Sequence, residues 1–86
     1  MLTDFEIIWQ RIIENEGETF FTITDIPFTY AVANNSVIPG TNRKIPKSNF
    51  ANAISLFPIS KPSDLPRKTQ GASYVFGILN DTRITG

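Results

Sequence analysis

The sequence predicts a small α+β domain in which a three-stranded antiparallel meander packs against three helices, in the order α-β-β-β-α-α. The chain has 86 residues, of which 41% are hydrophobic and 19% charged, so we expect one core and a single domain spanning residues 1–86. Two patterns in the sequence predict the α+β class. Apolar residues recur at helical spacing near the start and in the second half, and aromatic and β-branched residues dominate the stretch between.

A first helix is predicted over residues 4–16. Its apolar residues fall on one helical face, namely Phe5, Ile8, Trp9, Ile12 and Ile13. Thr3 is the predicted N-cap, with Glu6 reaching back to it in a capping box. Gly17 is a natural residue to end the helix, because glycine readily adopts the left-handed conformation common at that position.

Three strands are predicted after this helix. Residues 18–24 are rich in Phe, Thr and Ile, and residues 28–33 alternate large and small side chains with the period of a half-buried strand. Asn34-Asn35 suits a tight turn, because asparagine tolerates positive φ. Residues 36–38 return as the third strand, and Pro39-Gly40 ends it.

The second half predicts two more helices separated by a proline-rich loop. The first has four apolar residues at helical spacing, Phe50, Ala53, Ile54 and Phe57. Either Pro46 or Ser48 starts this helix, and Pro58 stops it. Residues 58–70 hold no predicted regular element, and an irregular stretch of this length is often functional or mobile.

A last helix is predicted over residues 71–79, with one apolar face made by Tyr74, Val75, Ile78 and Leu79. Gly77 is expected to weaken it by about 1 kcal/mol relative to alanine. Arg83 and Ile84 are expected to form a short tail or a final strand.

The charges are distributed unevenly along the chain. Residues 1–38 contain six acids and one base, and residues 39–70 contain six bases and one acid, although the formal net charge is zero. Such asymmetry favours an anionic partner, because Arg and Lys in loops suit phosphate contacts that release counterions. The predicted nucleic-acid-binding residues are Arg43, Lys44, Lys47, Arg67 and Lys68. Thr41, Asn42 and Ser48 would add neutral donors to phosphate.

Two alternatives to an anionic partner stay open for these charges. The oppositely charged halves attract each other within the fold, or the basic loops are merely solvated. A second function also stays open, that of a protein-interaction module or homodimer. Its surface would be the sheet edge near Pro39 or the face carrying Phe21. If Phe20 enters the core, Phe21 points to the other side of its strand, where an exposed aromatic marks an interface.

No catalytic or cofactor site is predicted. The chain has no cysteine and no histidine, so thiol chemistry, disulfides, the usual general base and the commonest metal ligand are excluded. The serines have no histidine to activate them, no two carboxylates form a specific pair, and there is no glycine-rich phosphate loop. We therefore expect a non-enzymatic protein without a cofactor or a metal.

The cytoplasm is the expected location. The start of the chain shows neither the basic nor the apolar region of a signal peptide, and the apolar runs are too short to span a membrane. A small protein without disulfides fits a reducing compartment.

Three stretches carry a resemblance to a known family: PFTY at residues 27–30, IPKSNF at residues 45–50 and GASYVFGILNDTRI at residues 71–84. The chain from residue 17 onward resembles a small bacterial family of uncharacterised proteins. The resemblance implies a bacterial or phage source and a stand-alone small protein. It implies no activity, ligand or site residue.

Overall fold

The apolar side chains of the helices and the short strands pack against each other. A computed structural model of the chain describes residues 2–40 and 43–86, so the predicted donors Thr41 and Asn42 lie outside the described residues. The elements in chain order are α1 (Phe5–Glu14), β1 (Phe20–Phe21), β2 (Pro27–Phe28), β3 (Tyr30–Ala33), β4 (Ser36–Pro39), β5 (Ile45–Pro46), α2 (Lys47–Ile54), α3 (Ala72–Leu79) and α4 (Thr82–Thr85). The predicted α+β class is confirmed.

The first helix is shorter than predicted and has a different cap. Asp4, rather than Thr3, is the N-cap of α1, and its Oδ1 accepts a hydrogen bond from the Glu6 backbone N–H at 3.1 Å. A carboxylate at this position satisfies an otherwise unpaired backbone donor and lies at the positive end of the helix dipole. Ile8, Trp9 and Ile12 are buried as the spacing predicts.

The strands form two antiparallel sheets instead of one. The meander is β3-β4-β5, and β1 pairs with β2 in a separate hairpin. The prediction of a three-stranded meander is therefore confirmed, but its first strand was assigned wrongly. The third strand of the meander is β5, at residues for which no strand was predicted. Its Ile45 pairs with Val37, and both side chains are fully buried, so burial of one apolar residue fixes this short strand.

Asn34 and Asn35 form the predicted turn between β3 and β4. Their φ values are 53° and 57°, the left-handed pair that a two-residue hairpin turn requires. Lys47 donates its backbone N–H to the Asn35 carbonyl at 2.9 Å. The turn therefore also holds the start of α2 against the meander.

The second helix ends before Pro58, the proline that was predicted to stop it. Pro46 is the N-cap of α2 and Lys47 is its first residue, so the helix begins beside Pro46, and Ser48 is not the cap. The helix ends at Ile54, with Phe57 buried beyond it. The long loop that follows contains one 3-10 turn, Pro62–Asp64, and Leu65 anchors it in the core.

The end of the chain is a single helical turn, α4, where a tail or a strand was expected. Asp81 is its N-cap and accepts a hydrogen bond from the Arg83 backbone N–H at 2.8 Å. Arg11 of α1 donates to the carbonyls of Ile84 and Gly86, at 3.2 and 2.9 Å. These bonds supply partners for carbonyls that the helix end leaves unpaired.

The core draws on every helix and on both sheets. Its fully buried members include Ile8, Ile12, Phe20, Val37, Ile45, Phe50, Val75, Ile78, Leu79 and Ile84. Contacts between aromatic rings run through it, with Phe20 at 5.4 Å from Tyr30 and Trp9 at 6.1 Å from Phe50, measured between ring centroids. The predictions that Trp9 and Phe20 are core residues are confirmed.

Gly77 lets the β1–β2 hairpin approach α3 closely. A side-chain carbon placed on Gly77 would lie 2.5 Å from the Phe21 carbonyl oxygen and 3.4 Å from Cε1 of Phe28. The first distance is shorter than any ordinary contact, and its partner is backbone, which does not move aside easily. The glycine that weakens the helix on its own is therefore required for the packing of the hairpin.

Replacing Gly77 by alanine tests this requirement. Helix propensity alone would make Gly77→Ala stabilising by about 1 kcal/mol. We expect instead a loss of about 1–3 kcal/mol in the free energy of unfolding, because the added methyl group displaces β1. Urea unfolding followed by circular dichroism measures the change. Ser73→Ala, at an exposed position of the same helix, is the matched control and should stay within about 0.5 kcal/mol.

Candidate binding surfaces

Four of the five predicted nucleic-acid-binding residues are exposed on two neighbouring segments. Arg43 and Lys44 lie directly before β5, and Arg67 and Lys68 lie in the loop before α3. We call these four residues the basic surface. The fifth, Lys47, is the first residue of α2 and is partly buried.

Gly71 is the point at which the two basic segments meet. It has φ of 61° and is the N-cap of α3. A side-chain carbon placed on it would lie 2.6 Å from Ile45 Cδ1 and 3.5 Å from Arg43 Cδ. Asn49 of α2 also donates its side-chain N–H to the Gln70 carbonyl at 3.2 Å. The segment that carries Arg43 therefore packs against the end of the loop that carries Lys68.

Lys47 is directed away from this meeting point. Its Nζ lies 5.5 Å from the centroid of the Trp9 ring, so it faces α1 in a cation–π contact. Asn49, two residues later and about 200° around the helix, faces the basic loop. The structure thus places the segment that carries Arg43 beside the end of the loop that carries Arg67 and Lys68, whereas Lys47 is directed toward α1.

The basic surface is largely unpaired. Within residues 2–40 and 43–86, no hydrogen bond or ion pair engages the side chains of Lys44, Arg67 or Lys68. The hypothesis that these three are neutralised by the acidic half of the chain therefore has no ion pair to support it. Their charges face solvent, where a partner can reach them.

A depression of about 140 Å³ adjoins the basic surface, between α2 and the loop before α3. We call it the α2 depression. Its lining combines amide, apolar and basic side chains, from Asn49, Asn52, Ala53, Leu56, Pro66, Lys68 and Thr69. Leu56 is 46% exposed although it is a large apolar residue.

A second surface is formed by the β1–β2 hairpin. Phe21, Ile23 and Ile26 are 52%, 49% and 60% exposed, and we call these three side chains the hairpin surface. The prediction that Phe20 is buried and Phe21 exposed is confirmed. Ile23 and Ile26 were not predicted, because alternation of Ile with Thr is typical of a strand that buries one face.

Thr22 fixes the turn of this hairpin. It exchanges backbone bonds with Ile26 and Asp25, accepting from the Asp25 N–H at 2.9 Å and donating to the Ile26 carbonyl at 3.0 Å. Its hydroxyl accepts from the Ile26 N–H at 3.2 Å. Asp25 takes φ of 62°, which aspartate tolerates better than most residues. The exposed isoleucines are therefore held on an ordered turn.

Arg83 anchors the base of the hairpin. Its guanidinium lies 3.9 Å from the centroid of the Phe20 ring and donates to the Thr19 carbonyl at 2.7 Å. Two further bonds of 3.0 Å join it to both carboxylate oxygens of Asp81. These hydrogen bonds hold the pKa of the Asp81 carboxyl below its ordinary value, although partial burial opposes them.

Tyr30 also packs against the Phe20 ring. Its hydroxyl donates to the Ile12 carbonyl at 2.5 Å, which ties β3 to α1. Burial raises the pKa of this hydroxyl well above its ordinary value of 10.0, and the nearby Arg83 charge offsets only part of that effect. The neutral form is thus the one that the fold accommodates.

The described part of the chain contains neither a metal site nor a membrane-crossing helix. Across residues 2–40 and 43–86, no three acidic side chains come together as metal ligands would. No helix there has the length and apolar character needed to cross a membrane.

Comparisons with known proteins identify no relative: no family model, curated protein or solved structure matches the chain. The resemblance to a small bacterial family stays a prediction.

Alkaline titration tests the role of Tyr30. In the unfolded chain tyrosine ionises near pH 10, whereas in the fold its pKa is higher, so the unfolded state binds fewer protons above about pH 10. Stability should be complete below that pH and fall as the pH rises beyond it. Tyr30→Phe should lower stability by about 1–2 kcal/mol at pH 7, through the unpaired Ile12 carbonyl.

The same variant should show a shallower alkaline decline than the parent chain. Urea unfolding at intervals from neutral to strongly alkaline pH measures both effects. Tyr74→Phe leaves Tyr30 in place and serves as the control, which should keep the parental decline. An identical decline in Tyr30→Phe would contradict the assignment.

Proposed function

We propose that the protein is a non-enzymatic binding module that contacts nucleic-acid phosphates through the basic surface. The observation that carries this proposal is the exposure of Lys44, Arg67 and Lys68 without an ion-pair partner, beside Arg43. Cations held close together and left unneutralised attract a polyanion, and each phosphate they contact releases condensed counterions.

Binding through phosphate contacts has two expected properties. Phosphate contacts position a protein on nucleic acid without reading its bases, so we expect weak sequence preference and strong salt dependence. Lys47 is proposed as a further phosphate contact outside the basic surface. Its ammonium group lies over the ring of Trp9. Because the resemblance implies a bacterial source and a chain without cysteine fits a reducing compartment, the proposed setting is a bacterial cytoplasm.

A titration with labelled oligonucleotides tests the proposal. Fluorescence anisotropy with a duplex and a single strand, at low and moderate salt, should give affinities that fall with salt. The variant Lys44→Ala, Arg67→Ala, Lys68→Ala should bind at least about tenfold more weakly, and its salt slope should fall by about one for each phosphate that is no longer neutralised.

Lys61→Ala provides the matched control. Lys61 is an exposed lysine of the same loop but lies outside the basic surface, so its removal should have a much smaller effect on affinity. Circular dichroism checks that each variant is folded. Absence of binding at low salt, or an equal loss of affinity in Lys61→Ala, would refute the basic surface as the contact.

The hairpin surface favours a second candidate function, contact with another protein. Three large apolar side chains are about half exposed there on an ordered turn. Contiguous exposed apolar groups of this kind mark interaction sites on small proteins. This function does not exclude the first, because the two surfaces share no residue.

A further inference from the structure

The hairpin surface presents exposed apolar side chains on an ordered turn. Phe21, Ile23 and Ile26 lie within six residues, and the bonds made by Thr22 and the contact at Gly77 fix their support. A surface that is already ordered loses little conformational freedom when it is covered, which makes it suited to association. Exposure of all three side chains in a chain of this size is best explained by a partner surface.

The charges around the hairpin restrict the chemistry of the surface that can bind it. Glu18 and Asp25 are exposed, and neither forms an ion pair within the described residues. Asp81, which lies beside the hairpin, is already neutralised by Arg83. A complementary surface therefore has to combine apolar side chains with positive charge.

The same chain carries a surface of that chemistry. In the α2 depression Leu56 is 46% exposed, Pro66 adds apolar carbon, and Lys68 lies at the edge without an ion-pair partner among the described residues. Arg67, also unpaired there, is its neighbour in the loop. Each copy thus holds one exposed apolar surface bordered by acids, at the hairpin, and one depression with apolar and basic side chains, beside α2.

We propose that copies of this chain associate by seating the hairpin surface of one copy in the α2 depression of another. Ile23 and Ile26 then meet Leu56, and Asp25 approaches Lys68. A hairpin-to-hairpin contact is disfavoured, because it would bring the unpaired Asp25 of each copy together. A two-fold arrangement makes the favourable contact twice.

A stable interface buries about 800 Å² on each partner, which is about one sixth of the 5037 Å² of surface on this chain. Because the association involves protein alone, it is measured without nucleic acid. Its failure is therefore separate from any failure of the proposed nucleic-acid binding.

Sedimentation equilibrium of the purified chain, from about 10 µM to about 1 mM, tests the proposal. The apparent mass should rise above the 9.6 kDa of the monomer as the concentration increases. The double variant Ile23→Ser, Ile26→Ser and the single variant Leu56→Ser should each raise the dissociation constant at least about tenfold. Ile7→Ser, at a 45% exposed position of α1, is the matched control and should leave association unchanged.

Exchanging the charges of Asp25 and Lys68 tests whether the hairpin surface contacts the α2 depression. Asp25→Lys and Lys68→Glu should each weaken association, and a chain that carries both exchanges should recover most of it, because the opposite charges again face each other. Circular dichroism confirms folding of each variant. A constant mass of 9.6 kDa over the whole range, an equal weakening in Ile7→Ser, or no recovery in the double exchange would overturn the proposal.

Discussion

The close contact between β1 and α3 at Gly77 is the constraint on which the arrangement of this domain depends. It sets the Phe21 carbonyl directly against the helix, so that Phe20 turns inward and the Phe21 side chain turns outward. Phe20 then packs between Tyr30 and Arg83, which link the meander and the last turn of the chain to the hairpin. The absence of a side chain at Gly77 thereby determines both that Phe20 lies in the core and that Phe21 is exposed.

The basic surface has a different origin. Two other cations of the chain, Arg11 and Arg83, are engaged elsewhere, whereas, within the described part of the chain, the lysines of the basic surface are not. Arg11, the single base among the acids of the first half, donates to backbone carbonyls of the last turn, and Arg83 pairs with Asp81 two residues away. Lys44 and Lys68 are left without carboxylate partners in the described residues. The charges of Lys44 and Lys68 therefore stay unneutralised at the surface.

Elements that depend on residues close in sequence could be predicted, whereas elements that depend on packing between distant residues could not. The turn at Asn34-Asn35 and the helix before Asn80 follow from residues close in sequence. β5 was missed because Ile45 is the only core residue of a two-residue strand, and its partner Val37 lies in β4. Exposure of the basic residues is expected from their charge alone, whereas exposure of Ile26 depends on a turn that the composition of residues 18–24 does not reveal.

A molecule with no net charge but separated charges behaves in a particular way near a polyanion. Because the formal charges cancel, a distant polyanion exerts almost no net force on the protein. Closer in, within a Debye length of about 8 Å at physiological ionic strength, the unequal distribution produces a torque that turns the bases toward the polyanion and the acids away. Electrostatics would then govern the orientation in which the protein arrives far more than the frequency of its collisions.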